Sequence, residues 1–228
     1  MLQNIFKKAV ILNKEQQNKT KISPYTSYAF AKEAYLVPIN VDELIVGSKS
    51  LITVFVKDTN GDITPSVLLG TKESNNLLVD EDGKWRENHY IPATLRSYPF
   101  GIGGDEKNKF LVVDSEATCI SEDFGERLFN DDLSTTTQGE NSFKFVTEVY
   151  NNLELAKQFS KELDSYGLLK HAQLELTKDG EKYTITEGIY IIDENSVNKL
   201  ESRKIKKLAT RGMLKPIYAH LLSLTNKY

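Results

Sequence analysis

The amino-acid sequence predicts an α+β protein with a mainly antiparallel sheet, one long packing helix and a short-helix C-terminal part. Three observations predict it. Short runs of β-branched, aromatic and leucine residues end repeatedly at Gly or Asp, as 51–56 ends at Asp58-Thr59-Asn60-Gly61-Asp62, which is the pattern of strands joined by tight turns. One stretch, 141–166, repeats apolar residues at steps of three and four, including Phe143, Val146, Val149, Phe159 and Leu163, so a single helix carries a continuous apolar stripe. Beyond Asp193, cap residues and glycines punctuate short helical segments.

In chain order, Val10-Ile11-Leu12 reads as an edge strand and the polar NKEQQNKTK after it as an exposed turn. Tyr25, Tyr28, Phe30 and Tyr35, leading to Val37-Pro38-Ile39, read as strands, because aromatic and β-branched residues favour a pleated half-buried surface. Asp42 to Ile45 makes a helical turn stopped at Gly47, and 51–56 is the clearest buried strand. Val67-Leu68-Leu69, ending at Gly70, and Leu77-Leu78-Val79, ending in Asp80-Glu81-Asp82-Gly83, read as two more strands. Pro92 suits the first turn of a helix and Pro99 disfavours helix at Tyr98, which predicts a short helix over 92–97 with Leu95 and Tyr98 inward and Arg96 free.

Phe110 to Val113 is the next strand, followed by an irregular acidic region to Asp132. Asn141 or Ser142 can cap the long helix and Gly167 can end it. Alternation at Ala172, Leu174 and Leu176, then at Tyr183 and Ile185, predicts a hairpin through Lys178-Asp179-Gly180-Glu181. A buried strand at 188–192 follows. Asp193 caps a helix to Leu200; Ser202 caps the next, with Ile205, Leu208 and Ala209 inward and Gly212 at its end; Pro216 opens the last, with Ile217, Leu221 and Leu224 on one side.

The 228 residues are read as a single domain, 1–228, with strands and turns dominating 1–135 and the long helix, further strands and C-terminal helices filling 141–228. Its 39% hydrophobic and 27% charged content is ordinary for a soluble globular chain. The one cysteine, Cys119, excludes an internal disulfide and fits a reducing compartment. No apolar run approaches the ~18 residues of a membrane span, and Ala9 to Leu12 is too short for a secretory signal. The expected location is the cytoplasm, with signal-less export left open. Net charge is −3, yet residues 101–142 hold ten acidic against three basic residues and 194–228 two against eight; solvated faces are the plain reading.

The stretch 66–100 stands apart. It holds the only tryptophan, Trp85, with Arg86, His89, Tyr90, Arg96 and Tyr98 close behind, a density of rings and guanidinium groups found in cores and recognition surfaces. Here a resemblance becomes visible. LLG, NLLVDEDGKWR and YIPATLRSYPF, then GERLF at 125–129, GIYIIDENSVNKL at 188–200 and GMLKPIYAHLLSL at 212–224, in that order, resemble the bacterial SapC family, named for a gene associated with paracrystalline surface layers. That family often places a histidine after an N-terminal LNKE; this chain has Gln16 and Gln17 there, so no N-terminal histidine carries a role.

Constellations for chemistry are sparse. Asp58, Asn60 and Asp62 have the alternate spacing of a calcium loop, but Ile63 and Leu69 stand where glycine and glutamate are required, so a hairpin is expected and no metal. The GIGG at 101–104 completes no dinucleotide fingerprint, and Asp105 and Glu106 beside it would repel a phosphate. Cys119, between Asp114, Glu116, Glu122 and Asp123, is disfavoured as a thiolate. His89, His171 and His220 show no ligand spacing, though folding could join His89 to His220. Two short C-terminal helices around Gly212 suggest a helix-turn-helix, but YAHLLSL is too apolar to read bases, so no nucleic acid is expected.

Ligand or partner binding is therefore placed on Trp85, Arg86, His89, Tyr90, Arg96 and Tyr98, which suit a peptide, a carboxylate or a sugar ring. The competing reading has Trp85 plug the core and both arginines pair with the acidic segment that follows. The resemblance implies a non-catalytic accessory protein of the surface layer or its export, with a protein or peptide client, no cofactor, and an oligomeric state the sequence leaves open. The alternative is an enzyme, or an obligate enzyme subunit, acting on a peptide or amino acid through His89, Arg86, Arg96 and His220.

Overall fold

A computed structural model describes residues 5–71, 75–104, 108–178, 181–185 and 188–226. In order, the chain forms β1 (Ala9–Ile11), β2 (Lys21–Ile22), a 3-10 turn (Ala29–Ala31), β3 (Leu36–Pro38), α1 (Val41–Gly47), β4 (Ile52–Lys57), β5 (Ile63–Leu68), β6 (Gly70–Thr71), β7 (Asn75–Asn76) and α2 (Ala93–Arg96). It continues with β8 (Phe100–Gly104), β9 (Lys109–Asp114), β10 (Ile120–Ser121), β11 (Glu126–Arg127), α3 (Thr137–Ser165), β12 (Leu169–His171), β13 (Leu174–Lys178), β14 (Glu181–Ile185), β15 (Ile189–Ile192), α4 (Glu194–Asn198), α5 (Ser202–Thr210) and α6 (Leu214–Ser223). The fold is α+β, and each described strand pairing is antiparallel.

The principal sheet has the order β12-β15-β4-β5-β3. Its centre is the β4–β5 hairpin, closed where Asp58 Oδ1 accepts from the N–H groups of Asn60 and Asp62. β15, from the far end of the chain, pairs with β4 at Ile189 to Val56 and Tyr190 to Phe55. Both parts of the sequence thus contribute to one sheet. Side chains alternate across a strand, and β4 is buried on both faces. Thr53 and Phe55 look toward α6 and α3, while Ile52 and Val54 pack with Leu68, Ala172 and Ile189.

A second sheet, β1-β9-β8, lies with β1 at its edge, and the short strands β10-β2-β11 make a third. The helix α3 joins the two larger sheets. Its C-terminal half places Phe159 and Leu163 in the main core under Phe55, while Phe143 and Val146 pack on Phe100 and Phe129 beside β8. At 1.5 Å per residue this helix spans about 43 Å, enough to reach from one sheet to the other.

Several expectations need correction. α3 starts at Thr137 rather than near Asn141, because Thr136 Oγ1 accepts from the Gly139 N–H and donates to the Arg127 carbonyl. Gly139 looks like a breaker, but a Cβ there would sit 2.4 Å from the Leu128 carbonyl oxygen, so glycine allows the close approach of helix and loop. The aromatics from Tyr25 to Tyr35 form no strand before Leu36. They fold a loop in which Tyr25, Tyr28 and Phe30 meet ring to ring and Phe30 stacks on Tyr98 at 3.9 Å. Leu77 and Leu78 lie in a turn, and Val79 makes only a single bridge to Trp85. α5 begins after Glu201 without a side-chain cap, and Ala209 is exposed. α6 begins at Leu214, two residues ahead of Pro216.

The β13–β14 hairpin pairs as expected. The facing of Leu174, Leu176, Tyr183 and Ile185, the turn residues Asp179 and Gly180, and the pair Asp105 and Glu106 lie outside the described residues.

Candidate functional site

A buried carboxylate organises the tryptophan- and arginine-rich stretch. Asn40 caps α1 by accepting from the Glu43 N–H at 3.1 Å, and Glu43 Oε2 accepts in return from the Asn40 N–H at 3.0 Å, the reciprocal arrangement of a capping box. The other oxygen, Oε1, accepts from the Ala93 N–H at 2.6 Å and from the Tyr90 hydroxyl at 3.0 Å. One side chain, 3% exposed, therefore fixes both the start of α1 and the start of α2.

Tyr90 passes that order outward. Its hydroxyl accepts from Arg96 Nη2 at 3.2 Å, and Arg96 Nε donates to the Ile91 carbonyl at 3.2 Å. Burial first, and then the Glu43 carboxylate, push the Tyr90 phenol above its ordinary value, with Arg96 opposing, so it remains a neutral donor at physiological pH. The guanidinium carbon lies 5.9 Å from the Tyr90 ring centre and 5.5 Å from that of Phe145 on α3, within cation–π reach. Two of the five N–H donors of a guanidinium are thus engaged. Arg96 forms no salt bridge among the described residues.

Arg96 stands on a cleft of about 290 Å³ between α2, the first turns of α3 and the loop before β3. Pro24, Tyr25, Phe100 and Phe145 supply apolar walls, and Gln138 and Ser142 add polar groups. Tyr98 also lines it, with its ring stacked on Phe30 and its hydroxyl donating to Asp114 Oδ2 at 2.9 Å. Asp114 is fully buried. Burial alone would raise its carboxyl, but the N–H groups of Lys7 and Lys8, the Tyr98 hydroxyl and the Glu116 N–H hold it below the usual range. Tyr98 is correspondingly raised, by burial first and by Asp114 second. An open concavity of about 510 Å³ around Thr135 to Thr137 adjoins the cleft, sharing Glu126 and Gln138 with it.

The six residues singled out from the sequence separate into groups. Arg96 and Tyr98 line the cleft, and Tyr90 braces Arg96 from behind. Trp85 and His89 pair with each other, the indole Nε1 donating to the His89 carbonyl at 3.2 Å, and Trp85 packs on the main core with its ring 5.5 Å from Tyr28. His89 Nδ1 lies 2.9 Å from the Glu87 carbonyl, which assigns the proton to that nitrogen. Arg86 is exposed and lines neither concavity. The structural reading of this stretch thus fits Trp85, whereas neither arginine is in an ion pair with the acidic segment among the described residues.

Glu43, Tyr25 and Phe145 were missed. Phe145 carried a signal, since it is the aromatic of 141–166 that falls off the core stripe and, with Gln138 and Ser142, follows helical spacing on another face. Glu43 carried a weaker one, the N-x-x-E of a capping box at Asn40.

His220 lies elsewhere, fully buried against Thr53, Phe55 and Ser223. Its Nε2 accepts from the Ile192 N–H at 3.1 Å, so Nδ1 carries the proton and donates to Thr53 Oγ1 at 3.0 Å. Thr53 donates to Ser223 Oγ at 2.7 Å, and Ser223 donates to the His220 carbonyl at 2.7 Å. Burial pushes the imidazole down to about 3, so it is neutral. His89 and His220 therefore share no site.

Cys119 is buried, and burial chiefly, with Asp114 adding, pushes its thiol up to about 11. Among the described residues no group of three or more His, Cys, Asp or Glu could hold a metal ion, and no helix is long and apolar enough to cross a membrane. The basic face of α5 is partly engaged within the chain, where Lys207 and Arg211 pair with Glu162 at the end of α3.

The SapC family matches residues 12–227, and the chain belongs to that family. No curated protein matches the sequence, and no solved structure matches.

Proposed function

From membership of the SapC family, we propose that this chain is a non-catalytic accessory protein associated with the bacterial surface layer or its export, acting in the cytoplasm by holding a protein or peptide client at the Arg96 cleft. One observation carries the reading. Arg96 is held by Tyr90 and Phe145 at the rim of a largely apolar cleft, with guanidinium donors directed to no carboxylate among the described residues. A fixed cation beside aromatic walls recognises an acid group and an apolar group together, and requires no cofactor to do so.

An enzyme acting on a peptide or amino acid through His89, Arg86, Arg96 and His220 is the competing function. It would have to work without His220, which is enclosed and neutral. The two are separated by affinity capture of the tagged protein from its host's lysate, comparing wild type with Arg96→Ala and identifying partners by mass spectrometry. The expected result is a stoichiometric protein partner, lost with Arg96→Ala and rebound by the purified wild type. A small molecule or metal co-purifying in place of a protein, with loss of its turnover in His89→Ala, would overturn the reading in favour of the enzyme.

A further inference from the structure

Resting on that reading of the cleft, we propose that the client is held by its chain end: a peptide C-terminal carboxylate on Arg96, with an apolar last side chain in the cleft and a basic residue about three positions upstream over Glu126. Three features carry this inference. Arg96 is a lone cation with unused N–H donors, and Glu126 lies in the same cleft. One guanidinium matches the single charge and planar fork of a carboxylate, whereas a phosphate dianion would bring two charges to a cleft lined by one cation.

The second feature is the wall. Pro24, Tyr25, Phe100 and Phe145 surround the space next to Arg96, and about 290 Å³ accommodates one large side chain with its carboxylate. Chain continues from there, because the neighbouring concavity of about 510 Å³ shares Glu126 and Gln138 and opens a trough toward the first turn of α3.

The third is spacing. From Phe145, against which Arg96 lies, to Gln138 at the junction is seven helical residues, or about 10 Å along α3. An extended peptide rises about 3.3 Å per residue, so roughly three residues bridge the two ends. At the far end Glu126 and Glu140 form no salt bridge among the described residues, while the nearby Arg127 is paired with Asp131 at 2.7 Å. The local charge there favours lysine or arginine on the peptide.

The test uses the full chain and two pooled libraries of random pentapeptides, one with free C-terminal carboxylates and one amidated, read by mass-spectrometric enrichment and then by fluorescence anisotropy of the best sequence. The carboxylate library is expected to enrich apolar last residues with Lys or Arg about three positions before. Amidation is expected to weaken the best peptide at least ~10-fold, the scale of a charge-assisted pair. Arg96→Gln should bring the acid down to the amide, Arg96→Lys should fall between, and Glu126→Gln should relax only the upstream preference.

Equal binding of acid and amide, or no enrichment from either library, would overturn the inference. If host-lysate capture still depends on Arg96 in that case, the cleft docks an internal segment and only the chain-end recognition fails. If capture is independent of Arg96 too, the cleft reading fails with it. A melting curve of Arg96→Gln matching wild type ensures that lost binding is not lost folding.

Discussion

Two chains of hydrogen-bonded side chains in this protein begin alike and end differently. Thr53, His220 and Ser223 close on themselves: the histidine bonds Ile192 and Thr53, Thr53 bonds Ser223, and Ser223 returns to the His220 carbonyl. Glu43, Tyr90 and Arg96 also start from a buried group, but their last member reaches an open cleft with donors to spare. A closed network of this kind holds a core together, since every polar atom is satisfied internally. An open one presents a charge at a fixed position. Both contain residues of the kinds used in catalysis, so residue type alone does not distinguish them. Where the chain of bonds terminates does.

The largest expected effect breaks the closed network. His220→Ala removes the acceptor of the Ile192 N–H and leaves a cavity beside Phe55, which should destabilise folding by about 3–5 kcal/mol in urea unfolding. Its effect on the cleft should be nil in the fraction that remains folded. Next comes Glu43→Ala, which strips the capping box of one bond and leaves the Ala93 N–H and the Tyr90 hydroxyl without their acceptor. A loss of about 2–4 kcal/mol is expected, accompanied, unlike that of His220→Ala, by weaker client binding. If both variants leave binding equally intact, the two networks do not differ as described.

The closed network also has a pH signature. His220 titrates at about 3 in the folded chain, below the ordinary 6.5, so on acidification the unfolded chain takes up the proton first. Its contribution to stability is full above pH 6.5 and shrinks by about 1.4 kcal/mol per unit as pH falls from there toward 3. Urea unfolding at pH 4, 5, 6 and 7 should show this slope in wild type and lose it in His220→Gln. Asp114, held low by its donors, acts in the same direction but at lower pH, its contribution disappearing as pH falls through its depressed folded value. An unchanged slope in His220→Gln would mean that the imidazole is not the titrating group.

Much of this arrangement was legible in the sequence, and the part that was not has physical reasons. The strands at β4, β9 and β15 and the core stripe of α3 follow directly from apolar periodicity, because each buries a face against a neighbour, whereas β5 was read only at its end, Val67-Leu68, since Thr64, Pro65 and Ser66 interrupt its apolar pattern. The short helix α2 followed from Pro92 and Pro99, with Leu95 and Tyr98 buried and Arg96 exposed as those constraints require. The loop of Tyr25, Tyr28 and Phe30 was misread because ring-to-ring packing places aromatics as densely as a strand does. Glu43 and Asp114 were not legible as organisers. Their importance lies in donors brought from Ala93, Tyr90, Lys7 and Lys8, distant in sequence, and no local pattern records those meetings.

Smaller effects are expected at the open end. Tyr90→Phe deletes the hydroxyl between Glu43 and Arg96 and should cost about 1 kcal/mol of stability, while loosening the guanidinium enough to weaken client binding severalfold. Arg96→Gln should change stability by about 0.5 kcal/mol, because the side chain is exposed, water can replace its two hydrogen bonds, and it forms no salt bridge among the described residues.

Under the proposed function that smallest change in stability accompanies the largest expected change in client binding, and measuring both on one sample tests the account most directly. Purified wild type and Arg96→Gln would be melted and then titrated with the client captured from the host. The account predicts melting temperatures within about 2 °C of each other and loss of client binding in the variant. A variant that melts markedly lower yet binds the client as wild type does would contradict it, and would place Arg96 with His220 among the residues that hold the fold.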